Sequence, residues 1–334
     1  MNIAYLLEDT ELAGGNRVAV AHADALIARG HDVTLITKGG PLTWRQSQAK
    51  WLHVQSFEEV DASVFDFVVG TFWTTVAKAW ELVEERAVHL CQGYEGSFSF
   101  YRDAKRYIEA TYRLPIPKLV VSQRLAEVIR PLHDDVTWIG QIVDDEFFQP
   151  REARDETPRV LLRVLLVGPM QADVKGIDVA YAAVRQARSL GATFELIRVS
   201  QWHAADGEPV ELASEFHVGV DTAAMARLFA TSDVYVGPSR AEEGFGLPAA
   251  EAMAGGVPAV LSAIPSYLSW DATHDYALFA PDGDGAAMGR QLARAVEDRE
   301  LRVQLARRGR EVAEQFRSEK TGERLEAFFA SRGG

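Results

Sequence analysis

The stretch "DVYVGPSRAEEGFGLPAAEAMAGGVPAVLS", Asp233 to Ser262, decides the fold. "DVYVGPS" is a β-branched apolar run of strand length, closed by a loop rich in glycine and charge. "GLPAAEAMAGG" follows, with Pro248 suited to a first helical turn and Gly255–Gly256 to a helix end. "VPAVLS" is then a second apolar strand. Strand, loop, helix and strand in succession make the parallel α/β unit. Ligands of open parallel sheets sit beyond the carboxyl ends of the strands, so "RAEEGFG" is expected to line a cleft. Glu243 then lies in the loop and Glu251 one turn into the helix.

The same grammar runs through the rest of the chain. "NIAYLLE" is a short apolar run, "RVAVAHADALIARGH" has small apolar residues at helical spacing and stops at Gly30, and "DVTLIT" is a β-branched strand. "FDFVVG", "AVHLCQG", "KLVVS" and "DVTWIG" continue the series. "DDEFFQPREARDETPR" interrupts it with prolines and dense charge, and is read as a linker near Pro150 to Arg159. Beyond it "VLLRVLLVG", "TFELIRVS", "VPAVLS" and "YALFA" alternate with helical stretches, and Asp221 suits the cap of "DTAAMARLFATS". The expected fold is α/β, two doubly wound Rossmann-like domains facing across a cleft. Residues 1–150 form the first and 151–334 the second, with the last helix able to pack back on the first.

Composition narrows the function. At 334 residues the chain has the length of two domains, with a net charge of −13 and pI near 5.2, so it lacks the strong basic face of a duplex-binding protein. An acidic total leaves room for an anionic small ligand, which local amides and a few lysines would hold. One cysteine, Cys91, excludes an intrachain disulfide and a multi-cysteine metal site. The opening "NIAYLL" lacks the basic start of a secretory signal, and no apolar run approaches the roughly 20 residues of a membrane span. A cytoplasmic setting is expected, with any membrane contact peripheral, on the inner face.

The glycines of the "EGFG" loop let backbone amides approach a ligand, with the positive end of the helix dipole behind them. Amides donate and carboxylates accept. Two acids separated by about two helical turns of sequence suit a long polyhydroxylated ligand better than a close acid–base dyad. Each acid alone has a plainer explanation, Glu251 as a dipole-stabilised helix acid and Glu243 as a solvated loop residue. Strand, glycine loop, Pro-started helix and second acid together outweigh it.

"EGFGLPAAE" matches the Glu-x7-Glu pattern of the retaining glycosyltransferases of family four, and the chain resembles that family over nearly its whole length. "AGGNRVAVAHADALIARGHDVTLIT", "VTWIGQIVDDEFFQP", "VGPMQADVKGID" and "MARLFATSDVYVGPS" stand in the family's order and spacing. The resemblance implies the GT-B fold and sugar transfer from a nucleotide-diphosphate sugar to a hydroxyl acceptor on a sugar, glycan or lipid-linked molecule. It needs no cofactor or metal. It assigns Glu243 and the amides of Gly244, Phe245, Gly246 and Leu247 to the donor sugar, Glu251 to the ribose, and Lys175 to the leaving diphosphate. Backbone near Val218 would read the base, and Gly14–Gly15 would approach the phosphates.

Two departures stand out. Gly168–Pro169 replaces the family's Gly-Arg, leaving Arg240 or Arg198 as stand-ins for the missing arginine. The family's histidine after the strand at "AVHLC" is also missing. His89 lies inside the apolar run as a core residue, so Gln92, Tyr94 and Glu95 are the acceptor-side candidates, with Trp73. A similar Gln-x-Tyr-Glu stretch in rhamnosyltransferases of the family implies a 6-deoxy sugar donor. The "DGD" at Asp282 to Asp284 reads as a turn and N-cap instead of a metal site, and no His/Cys cluster has ligand spacing. Trp44, Trp73 and Trp80 are expected mainly in packing. The basic, tyrosine-interleaved stretch from Tyr101 to Lys118 is expected to be a solvated helix able to touch anionic lipid. The competing readings are a non-catalytic subunit that kept the scaffold and a nucleotide-sugar epimerase on the same fold.

Overall fold

The computed structural model describes residues 1–97, 99–148 and 161–333, so the linker expected at Pro150 to Arg159 lies outside the described residues. The chain divides into two compact units, one made of Met1–Ile142 with Phe316–Gly334 and the other of Val143–Gln315.

The first unit holds a seven-stranded sheet among the described residues. Its strands are β1 (Asn2–Leu7), β2 (Asp32–Thr37), β3 (Lys50–His53), β4 (Phe67–Gly70), β5 (Ala87–Cys91), β6 (Lys118–Val120) and β7 (Val136–Trp138). They run parallel in the order β3-β2-β1-β4-β5-β6-β7. The winding therefore reverses between β1 and β4. Helices α1 (Gly14–Ile27), α2 (Trp73–Val83), α3 (Lys105–Tyr112) and α4 (Gln123–Ile129) make the crossovers. Ile3, Ala4, Tyr5 and Leu6 of β1 are all fully buried, as a parallel strand covered on both faces requires.

β3 was not foreseen. "KWLH" is short and mostly exposed at the sheet edge, so it shows neither an apolar run nor alternation.

The second unit holds six parallel strands among the described residues. These are β8 (Leu162–Val167), β9 (Phe194–Ser200), β10 (Glu215–Val218), β11 (Val234–Gly237), β12 (Ala259–Ser262) and β13 (Leu278–Ala280). Their order is β10-β9-β8-β11-β12-β13, with the reversal between β8 and β11. The helices are α5 (Ile177–Ser189), α6 (Thr222–Thr231), α7 (Leu247–Ala254), α8 (Pro265–Leu268), α9 (Gly285–Glu297) and α10 (Arg299–Ala313). Val164, Leu166, Val236 and Val260 meet apolar faces of α5 and α9 in one core. Asp221 and Asp284 cap α6 and α9 by accepting from the amides of Ala224 and Ala287.

The last helix, α11 (Ser318–Ala330), belongs to the first unit. Leu325, Phe328 and Phe329 are buried, Arg29 donates to Glu326 at 2.8 Å, and Thr321 donates to the Gln141 carbonyl at 3.2 Å. No helix among the described residues is long and apolar enough to cross a membrane.

Candidate active site

The reversal of winding between β8 and β11 decides which loops of the second unit come together. The segment after β8 carries Lys175, the segment after β11 carries Glu243, and the two meet although 68 residues separate them. Lys175 Nζ lies 2.6 Å from Glu243 Oε2, with the side chains 27% and 12% exposed. Ser239 donates to the same carboxylate oxygen at 3.1 Å, and the Tyr267 hydroxyl donates to Ser239 at 3.0 Å. Ser266 Oγ donates to the Glu243 carbonyl. Glu243 is thus a fixed acceptor and not a solvated loop acid.

Two glycines shape this pairing. Gly176 is left-handed (φ +58°) at the start of α5, where a Cβ would stand 2.1 Å from the Pro238 carbonyl oxygen. Any larger residue would push the Lys175 loop off the Pro238 loop. Gly246 is left-handed (φ +86°) at the N-cap of α7, and a Cβ there would stand 2.2 Å from the Tyr267 ring. Phe245 between them is buried, its ring 5.3 Å from Trp270, and anchors the loop from below. Pro248 stands in the first turn of α7, leaving the amides of the loop at a helix N-terminus.

Glu251 sits on α7 and is 1% exposed. Burial pushes the Tyr235 hydroxyl well up, and the charges of Tyr267, Glu243 and Glu251 push it further, so both acids act on one buried ring. Only Glu251 is helical. The seven residues between the two acids are loop and first turn, not two turns of helix.

The proposed stand-ins for the missing arginine are otherwise engaged. Arg240 makes a two-pronged contact with the Asp178 carboxylate at 2.9 and 2.8 Å, and its Nε donates to the Asp173 carbonyl at 3.0 Å. It ties the Glu243 loop to the start of α5. Arg198 is fully buried on β9, its Nε 3.0 Å from Glu208, which also accepts from Tyr181 at 2.9 Å. Arg198 is a core ion pair, which corrects the expectation for it. A strand-end arginine followed by polar sequence gave no sign of the burial. Asp282 of "DGD" accepts from the Ala241 amide at 3.1 Å, and no group of three or more metal-binding side chains occurs among the described residues.

Val218 ends β10, exposed, before the left-handed Gly219. Leu247 is half-buried at the first position of α7. In the first unit Gly14 and Gly15 open α1 instead of preceding it. A Cβ on Gly15 would meet the Gln92 amide at 3.4 Å, and Gln92 donates to the Thr71 carbonyl at 3.3 Å.

Glu95 does not line an open site. It is buried, hydrogen-bonded to the Tyr112 hydroxyl, and burial lifts its pKa to about 7. Tyr94 lies edge-on to Tyr112 at 5.1 Å and reaches Glu109 at 3.4 Å. His89 is fully buried with neither ring nitrogen partnered, and burial holds it well below the usual imidazole range. Trp73 is the first residue of α2, its ring 5.9 Å from Phe72. Ser239, Ser266, Tyr267 and Asp178 were missed, because "GPS", "PSYL" and a helix-start aspartate are common in any α/β chain.

Residues 206–312, which hold both glutamates, match the family model described as Glycosyl transferases group 1. No curated protein matches the chain. Among solved structures, sucrose-phosphate synthase (tll1590) from Thermosynechococcus elongatus has a TM-score of 0.81 at 18% identity, over 99% of this chain and 98% of that one. Anabaena HepE in complex with UDP-glucose has a TM-score of 0.82 at 14% identity, over 99% of this chain and 100% of that one. A glycosyltransferase from Rickettsia africae has a TM-score of 0.75 at 14% identity, over 99% and 98% of the two chains. These likenesses define the fold, two parallel-sheet Rossmann-like domains of the GT-B class. Within that fold, the match to the group 1 glycosyltransferase model lies in the second unit.

Proposed function

We propose that the protein transfers a sugar from a nucleotide-diphosphate donor to a hydroxyl acceptor, with retention of anomeric configuration and without a metal. The Lys175–Glu243 pair at the winding reversal, with Glu251 buried on the following helix, carries this reading. Glu243 and the amides of residues 244–246 accept from and donate to the sugar hydroxyls, and Glu251 accepts from the ribose. As the bond from the anomeric carbon to the diphosphate oxygen breaks, Lys175 stabilises the charge gathering on the leaving group. The acceptor oxygen bonds to the anomeric carbon on the same face, and its proton passes to a diphosphate oxygen. The second unit holds the donor and the first the acceptor. With Gln92 where a histidine would read an outer hydroxyl, the donor sugar is a 6-deoxyhexose; a hexose that outperforms its 6-deoxy analogue would refute that part.

One observation favours a second reading, a nucleotide-sugar-binding subunit without turnover. Pro169 replaces an arginine, Arg240 is held by Asp178 and Arg198 is buried, so Lys175 faces the diphosphate without a second side-chain cation from these positions. Thermal shifts with UDP-, GDP-, ADP- and dTDP-sugars, on wild type and Glu251→Ala, test the donor site. A donor at 100 times its dissociation constant should stabilise by about 2.7 kcal/mol, and Glu251→Ala should abolish the shift. Transfer that persists in EDTA supports the enzyme; binding without transfer or hydrolysis supports the subunit.

A further inference from the structure

The first unit has its own winding reversal, between β1 and β4, and a cavity of about 430 Å³ opens there, within the roughly 300–1,000 Å³ range of small-molecule sites. Four segments build it. Glu8 directly follows β1, Lys38 directly follows β2, Ser56 to Glu58 come after β3, and Phe72 and Thr74 flank the start of α2 after β4.

The chemistry of its wall is specific. Lys38 Nζ lies 2.6 Å from Glu8 Oε2 and 5.2 Å from the centre of the buried Phe57 ring. Thr74 donates to the other oxygen of Glu8. Farther along the wall, Lys78 lies 2.7 Å from Glu58. Lys78 is shared with Glu81, also at 2.7 Å, so every ammonium here is matched by at least one carboxylate. Each ammonium keeps protons to donate, and each carboxylate keeps lone pairs to accept. Half-buried Phe72 adds an apolar face and packs with Tyr101 at 5.9 Å.

A neighbouring donor and acceptor is what a pair of sugar hydroxyls requires, since each hydroxyl both gives and takes a hydrogen bond. An aromatic face suits the apolar side of a pyranose. A phosphate set against Lys38 would instead meet the Glu8 carboxylate beside it, and ammoniums already matched by carboxylates offer no net attraction to offset that repulsion.

We propose that this cavity is the acceptor subsite and that it takes a neutral, polyhydroxylated sugar in preference to a phosphorylated one. The inference rests on the transferase reading above and deepens it, because nothing in the donor site selects the acceptor's charge.

The test is an NMR titration of the full chain, observing backbone amides. The probes are methyl α-glucopyranoside, methyl α-mannopyranoside, glucose 6-phosphate and mannose 6-phosphate, each with and without nucleotide sugar. The neutral glycosides should move the signals of Glu8, Lys38 and Thr74 and bind about tenfold more tightly than the phosphates. Glu8→Gln and Lys38→Gln should each weaken glycoside binding about tenfold. Phosphates that bind as well as the glycosides, or glycosides that leave those signals unmoved, would overturn the proposal. The signals of Lys175 and Gly246 report the donor in the same samples. Donor binding with a silent Glu8 region sinks the acceptor site alone, whereas a silent donor region sinks the transferase reading itself.

Discussion

The hydroxyl of Tyr112 has one proton and two acceptors within reach, the Gly93 carbonyl at 2.8 Å and the Glu95 carboxyl. Both contacts hold together only if Glu95 is the neutral acid and donates to the tyrosine oxygen while the tyrosine donates to Gly93. Burial supplies the cause, lifting Glu95 from 4.5 to about 7. A raised carboxyl stabilises the fold fully below its unfolded pKa, and that contribution is lost as pH rises through the folded one. Thermal melts of wild type should therefore lose on the order of 3 kcal/mol between pH 4.5 and 7 from this group, and Glu95→Gln should flatten the decline. An unchanged slope in the variant would show that Glu95 is ionised throughout. At the proposed donor site, Lys175→Met should lower kcat/KM by about 10²- to 10³-fold, measured as initial rate on the identified donor. Glu243 and Glu251 were legible in the sequence because their strand–loop–helix setting is local. The 2.6 Å contact of Lys175 with Glu243 was not, since 68 residues of chain and the order of β8 and β11 bring it about.

At the scale of elements, the loop from Pro238 to Gly246 is held at every turn. Arg240 ties it to α5, Asp282 holds the Ala241 amide, Ser266 holds the Glu243 carbonyl, and Gly246 fits beneath Tyr267. If Arg240 acts through this bracing, Asp178→Asn should raise the donor KM as much as Arg240→Ala does. If Arg240 instead touches the diphosphate, only the arginine variant will show the effect. Gly176→Ala should cost more than about 2 kcal/mol, read from denaturant melts, because the left-handed backbone and the Pro238 oxygen both oppose a Cβ. The major strands were legible from their apolar runs, such as "DVTLIT" and "FDFVVG". β3 and β10 were not, being four-residue edge strands without an apolar run. Edge strands need little hydrophobicity, so they leave little trace.

For the whole molecule, α11 is the element that the local pattern describes least. A return of the last helix to the first domain was an expectation of the sequence, but its amphipathic residues fit any helix, and the structure is what assigns Leu325, Phe328 and Phe329 to the core of the first unit. Each buried side chain of this kind contributes about 1.5–3 kcal/mol. Truncation after Gln315 should therefore destabilise the first unit far more than the second. The measurement is a calorimetric scan, in which one transition should fall in temperature while a nucleotide sugar still raises the other. The same connectivity bears on how the protein is made. Residues 143–315 emerge from the ribosome as an uninterrupted unit and can fold as they appear. The first unit begins earlier but waits with α1 uncovered until its final segment has been synthesised. The core of the first unit is therefore complete only once the residues after 315 have been made.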